Sequence, residues 1–116
     1  MRYRKLGTSG LNVSVVGLGT NNFGGRTDEA RSIEVIHHSL DLGVTTIDTS
    51  DSYGQGRSEE IIGKGLQGHR HRAEVLTKVY SKMGDGPHDR GAGRRHIIEG
   101  CEASLRRLRT DYIDLY

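Results

Sequence analysis

The spacing of apolar residues changes several times along the chain, and each change marks an element. Val15-Val16-Gly17-Leu18 is a short apolar run ending in Gly19-Thr20, the pattern of a buried strand. From Thr27 to Leu42 the apolar residues Ala30, Ile33, Ile36 and Leu40 fall three and four apart, which is one stripe of a helix. Thr27 is its predicted N-cap and Gly43 its stop. Val44-Thr45-Thr46-Ile47 is β-branched throughout and reads as a second strand. Ser58 then opens a short helix as its predicted cap. Glu59 and Glu60 stand in its first turn, Ile61, Ile62 and Leu66 on its buried side, and Gly68 after its end. Glu74 to Val79 is the third strand. Arg94 to Leu108 is the longest helix, with Ile97, Ile98, Cys101, Leu105 and Leu108 on one face. Tyr112 to Tyr116 reads as a fourth strand.

The order is β-α-β-α-β-α-β, preceded by a small hairpin in which Tyr3-Arg4-Lys5-Leu6 and Leu11-Asn12-Val13 flank Gly7-Thr8-Ser9-Gly10. Such alternation implies right-handed crossovers and a parallel sheet. Two architectures fit four such strands, an open doubly wound sheet or part of a (β/α)8 barrel.

Composition narrows the function classes. Lys and Arg number 17 against 15 Asp and Glu, a net charge of +2, which argues against a nucleic-acid binder held by a broad cationic face. No apolar run approaches the roughly 20 residues of a membrane span. The start, Met1-Arg2-Tyr3-Arg4-Lys5, has no apolar stretch behind it and is not a secretory signal. A single cysteine, Cys101, excludes an internal disulfide and a multi-cysteine metal site, and reads as a small hydrophobe on the third helix. A soluble, cytoplasmic protein is the expectation. Leu, Ile, Val and Phe together supply only 26 of 116 residues, a thin core beside 17 glycines, so the chain is expected to lean on further structure.

In either architecture reactive groups gather at the C-terminal ends of the strands. The first strand ends in Gly19-Thr20-Asn21-Asn22, the second in Asp48-Thr49-Ser50-Asp51-Ser52-Tyr53-Gly54, and the third holds Thr77-Lys78 near its end. Asp48, Tyr53 and Lys78 thus converge from two neighbouring strands. A phenol is a poor acid at neutral pH, with a pKa near 10 in model compounds. A nearby ammonium favours the phenolate, and a carboxylate beside the ammonium keeps it charged and in place. Such a phenol can protonate a carbonyl oxygen as negative charge develops there. Tyr53 would be the acid, Lys78 the tuner and Asp48 the anchor. The plainer alternative has Asp48 capping a turn, Tyr53 packing at a rim and Lys78 pointing to solvent. Spacing alone leaves both open.

The residues resemble the N-terminal part of an aldo-keto reductase, in the branch of bacterial oxidoreductases and potassium-channel β-subunit relatives. The resemblance is carried by Tyr3 to Leu11, Gly17-Leu18-Gly19-Thr20 with Asn22-Phe23-Gly24-Gly25, Ile47-Asp48-Thr49 with Tyr53-Gly54, Gly56-Arg57-Ser58-Glu59-Glu60-Ile61, Thr77-Lys78, and Ser104 to Leu108 through Asp111-Tyr112-Ile113-Asp114-Leu115-Tyr116. These stretches run the length of the chain in family order. The resemblance implies an α/β fold, a (β/α)8 TIM barrel closed at its N-terminal end by a hairpin. Residues 1–116 then form the N-terminal half, with the hairpin and the first four strands and no separate domains. It implies hydride transfer between NADPH and a small-molecule aldehyde or ketone. Asp48, Tyr53 and Lys78 fall on three members of the family's catalytic tetrad, and the fourth, a His, is expected beyond Tyr116. Gly19, Thr20, Asn21 and Asp48 match the surroundings of the nicotinamide. The loops that grip the cofactor's phosphates belong to the last strands. The alternative function is a cofactor-binding regulatory subunit of a channel-like partner. Residues 1–116 alone are expected to be inactive and to self-associate through open barrel edges.

Other signals are weaker. Gly17-Leu18-Gly19-Thr20 lacks the third glycine of a dinucleotide fingerprint. His69-Arg70-His71-Arg72 reads as a solvated basic loop, and His37, His38, His88 and His96 have no metal-ligand spacing. The segment from Lys82 to Gly93 is a long connection placed to shape a substrate entrance, or simply a mobile loop.

Overall fold

A computed structural model describes all 116 residues. The chain opens with an antiparallel hairpin of β1 (Tyr3–Lys5) and β2 (Asn12–Ser14), in which Arg4 faces Val13. Three parallel strands follow, β3 (Gly17–Gly19), β4 (Thr46–Asp48) and β5 (Glu74–Leu76), side by side in chain order. Gly19 lies opposite Asp48, and Asp48 opposite Leu76, so the C-terminal ends of all three strands are level. Helices α1 (Glu29–Asp41), α2 (Arg57–Gly65) and α3 (Arg94–Leu108) alternate with the strands. The expected α/β alternation with a parallel sheet is present, and the sheet does not close.

The fourth expected strand is reduced to one bridge, Leu115 against Leu76. A side chain takes over part of its ladder. The Asp114 carboxylate accepts the Val75 N–H at 2.8 Å and is held in turn by Arg70 at 2.6 Å. The main chain still pairs on either side of that bond, the Asp114 N–H donating to the Val75 carbonyl and the Thr77 N–H to the Leu115 carbonyl, both at 3.1 Å. The first strand also differs from expectation. It begins two residues later, and Val15 and Val16 are 45% and 52% exposed, because β3 pairs on one side only.

The helix boundaries show which local signals win. Asp28, rather than Thr27, caps α1, because its carboxylate accepts the Arg31 N–H at 2.8 Å while the Thr27 N–H and carbonyl are spent on the preceding turn. Ile36 and Leu40 are buried as the stripe requires, Ile33 is partly buried, and Ala30 is exposed. Gly43 ends the turn with φ +80°, a left-handed position that favours glycine. Gly56 is the N-cap of α2, so Ser58 lies inside the helix and is free for another task. On α3 the residues that turn inward are His96, Ser104 and Leu108, a stripe displaced from the expected apolar one. Ile98 is 43% exposed and Cys101 only half-buried. A Cβ on Gly100 would lie 2.9 Å from the Val79 side chain, so the absence of a side chain there lets α3 approach the segment that follows β5 on that displaced face.

One core of ten buried apolar residues joins the layers. Ile47 and Val75 at the sheet centre meet Ile36 and Leu40 of α1, Ile61 and Ile62 of α2, and Leu108, the sole contribution of α3.

Candidate active site

The residues after β4 make a tight descent. The Thr49 N–H donates to the Leu76 carbonyl at 2.9 Å and the Asp51 N–H to the Lys78 carbonyl at 3.3 Å, so the loop still tracks β5. Just past Tyr53 the chain reverses through three successive left-handed residues, Gly54, Gln55 and Gly56 (φ +58°, +55° and +90°). Two of the three are glycine, the residue with no steric cost in that region. The Tyr53 N–H is held by the Ser50 carbonyl and its own carbonyl by the Ser58 N–H, both at 3.2 Å.

These turns bring the three expected side chains together. The Lys78 ammonium donates to Asp48 Oδ1 at 2.6 Å and to the Thr49 carbonyl at 2.8 Å. The same nitrogen lies 5.4 Å from the centre of the Tyr53 ring. Lys78 and Asp48 are about half-exposed (49% and 43% of their side chains), so the pair adds little to stability and its effect is to fix the ammonium beside the ring. Lys78 therefore does not point freely to solvent, and Asp48 binds a lysine rather than capping a turn.

Beneath this trio is a polar layer that apolar spacing does not reveal. Thr20 is fully buried, and its hydroxyl donates to the Asp48 carbonyl at 2.9 Å. Ser58 Oγ lies 2.9 Å from the Thr20 hydroxyl and 3.0 Å from that of Thr49, which ties the start of α2 to the ends of β3 and β4. Glu59 is also fully buried. Its carboxylate accepts from the Thr77 hydroxyl and, at 2.6 Å, from Arg107 of α3. Thr77 precedes Lys78, so this buried pair anchors the strand end that carries the ammonium. The acidic first turn of α2 was legible in the sequence as a helix signal, but nothing in local pattern shows that Glu59 faces inward.

The residues expected near a nicotinamide separate into two kinds. Gly19 is exposed, faces Asp48 across the sheet, and has open space where a Cβ would stand. Asn21 is exposed on the loop that follows. Thr20, between them, has its side chain turned into the protein. Gly19, Asn21 and Asp48 thus border an open shelf at the strand ends, while Thr20 supports it from below.

Beside the site is a cavity of about 220 Å3 lined by Asp51, Met83, Asp89, His96, Glu99 and Arg107, among others. Asp51 is almost completely buried, and burial pushes its carboxyl above the usual range. Neither Asp51 Oδ2 nor His96 Nε2 has a hydrogen-bond partner. The long connection closes over this cavity as a folded turn. Asp89 accepts the N–H groups of Met83 through its carbonyl and Gly86 through its carboxylate, and the Gly91 N–H returns to Tyr80. No cluster of three or more His, Cys, Asp or Glu is placed to hold a metal, and no helix is long and apolar enough to cross a membrane.

Comparison with known proteins bears on the family and the fold. The sequence profile of the aldo/keto reductase family matches residues 15–116. The aldo-keto reductase YhdN of Bacillus subtilis is 44% identical over all of this chain, which covers 37% of that protein. A probable voltage-gated potassium channel subunit beta of Arabidopsis thaliana is 38% identical over 99% of this chain and 36% of its own length. Among solved structures, aldo-keto reductase AKR11C1 from Bacillus halodurans, in its holo form, superposes with a TM-score of 0.90 at 41% identity, over 100% of this chain and 39% of that one. The chain therefore spans less than two-fifths of the length of these relatives.

Proposed function

The chain belongs to the aldo/keto reductase family, whose solved neighbours are TIM barrels, and on that premise we propose that the whole protein transfers a hydride between a nicotinamide cofactor and the carbonyl carbon of an aldehyde or ketone. The observation that carries the reading is the Lys78 ammonium, held between the Asp48 carboxylate and the Tyr53 ring. In this reading the Tyr53 hydroxyl gives its proton to the carbonyl oxygen as charge builds there. The Lys78 ammonium stands beside the ring where charge develops, and Asp48 with the Thr49 carbonyl keeps it aimed. Residues 1–116 make up the N-terminal half of one barrel and form no separate domain.

The residues present fit the nicotinamide end of the cofactor. Gly19 and Asn21 leave an open shelf beside Asp48, with no side chain on Gly19 to obstruct a flat ring. When bound, the cofactor supplies the hydride. The chain's own part is to seat the ring against Gly19, Asn21 and Asp48, with Thr20 fixing the Asp48 backbone from below. NADPH is the proposed form. The holo state of the Bacillus halodurans neighbour supports a bound cofactor in general.

The test is Tyr53→Phe in the whole protein. General acid catalysis contributes about 10²–10⁴-fold, so carbonyl reduction should fall by that factor while cofactor affinity, read by nicotinamide fluorescence, stays within about twofold. Undiminished turnover in the variant would remove Tyr53 from the chemistry. The similarity to a probable channel subunit supports a second reading, in which the same pocket reports cofactor state to a membrane partner with slow turnover. Steady-state rates with a panel of aldehydes separate the two.

A further inference from the structure

The largest hollow in the molecule lies away from the site above, at the C-terminal end of α3. It measures about 760 Å3 and is lined by Arg70, His71, Leu105, Arg106, Arg109 and Tyr112, with Asp111 as its one acidic side chain. Two smaller hollows adjoin it. One of about 390 Å3 runs along the seam of α2 and α3, between Glu60 and Lys64 on one side and Arg106, Arg107 and Arg109 on the other. The other, of about 160 Å3, reaches under the end of α2 and is lined by Arg70 and Arg109 among apolar and glycine residues. Arg109 lines all three, and Arg106 lines two. The three adjoin at Arg109, and among their charged lining residues Lys64, Arg70, Arg106, Arg107 and Arg109 stand against Glu60 and Asp111, on a chain whose net charge is only +2.

The charges in this groove are not all spent internally. Arg107 is held by buried Glu59, Arg70 by Asp114 and Lys64 by Glu29. Arg106 and Arg109 enter none of the chain's ion pairs and make no side-chain hydrogen bond. Basic residues in a last turn complement the helix dipole, which accounts for Arg106 in part. It does not account for Arg109, which sits just past the helix at φ +54°, a left-handed C-cap where glycine fits best. Arg109 thus stands unpaired, in a backbone position that favours glycine, at the meeting point of three hollows.

We propose that this groove binds an acidic polypeptide segment in extended form, with carboxylates on Arg106 and Arg109 and an apolar side chain on Leu105 and Tyr112. Guanidinium forks match carboxylates two bonds at a time. The free arginines are two, Arg106 and Arg109, three residues apart beside Leu105 and Tyr112, so that a carboxylate on each can accompany an apolar side chain between them. Leu105 and the 43%-exposed Tyr112 ring, one face of which is covered by Arg70 at 3.9 Å, supply apolar contact that a polyphosphate would not use. The groove lies on helices already packed together, along the seam of α2 and α3, and Asp48, Tyr53 and Lys78 are not among its lining residues.

The experiment uses the whole protein and a fluorescein-labelled peptide of six glutamates around one phenylalanine, followed by anisotropy at low ionic strength and again at about 150 mM salt, where surface charges are screened beyond about 8 Å. Saturable binding that weakens with salt is expected. Arg106→Glu with Arg109→Glu should weaken it by about tenfold or more, whereas the charge-matched pair Arg4→Glu with Arg26→Glu, at exposed residues elsewhere, should change it by less than about twofold. Arg109→Gly, which suits the left-handed backbone and keeps the fold, should alone weaken binding by about threefold or more with no fall in Tm. Absence of saturable binding, equal losses in the two double variants, or full affinity in Arg109→Gly overturns the proposal. So does binding of inorganic polyphosphate or single-stranded DNA at least as tightly as the peptide.

Discussion

Asp51 stands three residues after Asp48 and differs from it in every respect that matters to a carboxylate. Asp48 is partly exposed and paired with Lys78; Asp51 is buried, has one oxygen unpartnered, and is pushed up by burial. An unfolded aspartate titrates near 3.9. Between that value and the higher one in the fold, the folded state holds the extra proton, so stability falls as pH rises through this window and the full penalty is present above it. Asp51→Asn removes the titration. Its stability relative to the parent, from urea unfolding, should be more favourable at pH 7 than at pH 3; the same difference at both values would mean that Asp51 titrates as it does when unfolded. The contrast also shows what the sequence could reveal at this scale. Asp48, Tyr53 and Lys78 were legible because a carboxylate, a phenol and an ammonium near the ends of adjacent strands have a shared chemistry. The inward, supporting places of Thr20, Ser58 and Glu59 were not, although Thr20 itself was expected beside the nicotinamide. Each is polar and placed where helix or loop pattern gives it an ordinary surface or capping role, and only the packing of α2 on two strand ends turns them inward into a closed hydrogen-bonded layer.

At the scale of elements, the fit of α2 against α3 depends on one missing side chain. A Cβ on Gly63 would stand 2.6 Å from the Arg107 carbonyl oxygen and 2.7 Å from the Leu108 carbonyl carbon. Both are backbone atoms, so no rotamer change relieves the contact. The two helices must move apart, which strains the buried Glu59–Arg107 pair and lifts Leu108 from the core. Gly63→Ala gains the helix preference of alanine, worth about 1 kcal/mol, and still should lower stability by about 1–3 kcal/mol or more through overpacking. Urea midpoints with an unchanged slope measure it; a stabilised variant would show that the helix seam is loose. The same seam explains which elements were legible. α3 begins and ends at Arg94 and Leu108 as its sequence spacing predicts, because helix length depends on local periodicity and the reversal after Leu108. Its buried face was read one position off, because the choice of face depends on Gly100 and Gly63 admitting close neighbours, which periodicity does not encode. The last strand was overestimated for a related reason. Tyr112 to Tyr116 has strand composition, but Asp114 replaces a ladder bond with its side chain, and only Leu115 bridges to β5.

The whole molecule is a sheet with both long edges short of partners. β3 pairs only with β4, and beyond β5 stands a single bridge. Val16, beside β3, is 52% exposed, and Leu115, at the opposite edge, 43%. Unpaired edges flanked by apolar side chains template further strand pairing. The chain spans 37% of YhdN and 39% of the Bacillus halodurans structure, in which the same elements are part of a longer chain. Residues 1–116 by themselves should therefore associate in a concentration-dependent way and reduce no carbonyl at a measurable rate. The three candidate catalytic side chains would be present but open to water on a face with no opposite wall. Sedimentation velocity over a range of concentrations, with an aldehyde-reduction assay on the same sample, tests both statements. Placing a lysine at each edge, Val16→Lys with Leu115→Lys, should move the isolated chain toward monomer by charging the two edges, and should restore no activity, because edge pairing and wall closure are separate deficits. A monomer that turns over aldehydes would mean that hydride transfer needs only the strand ends that carry Asp48, Tyr53 and Lys78. An associated chain unmoved by the two lysines would place the contact elsewhere, on the helices rather than on the sheet.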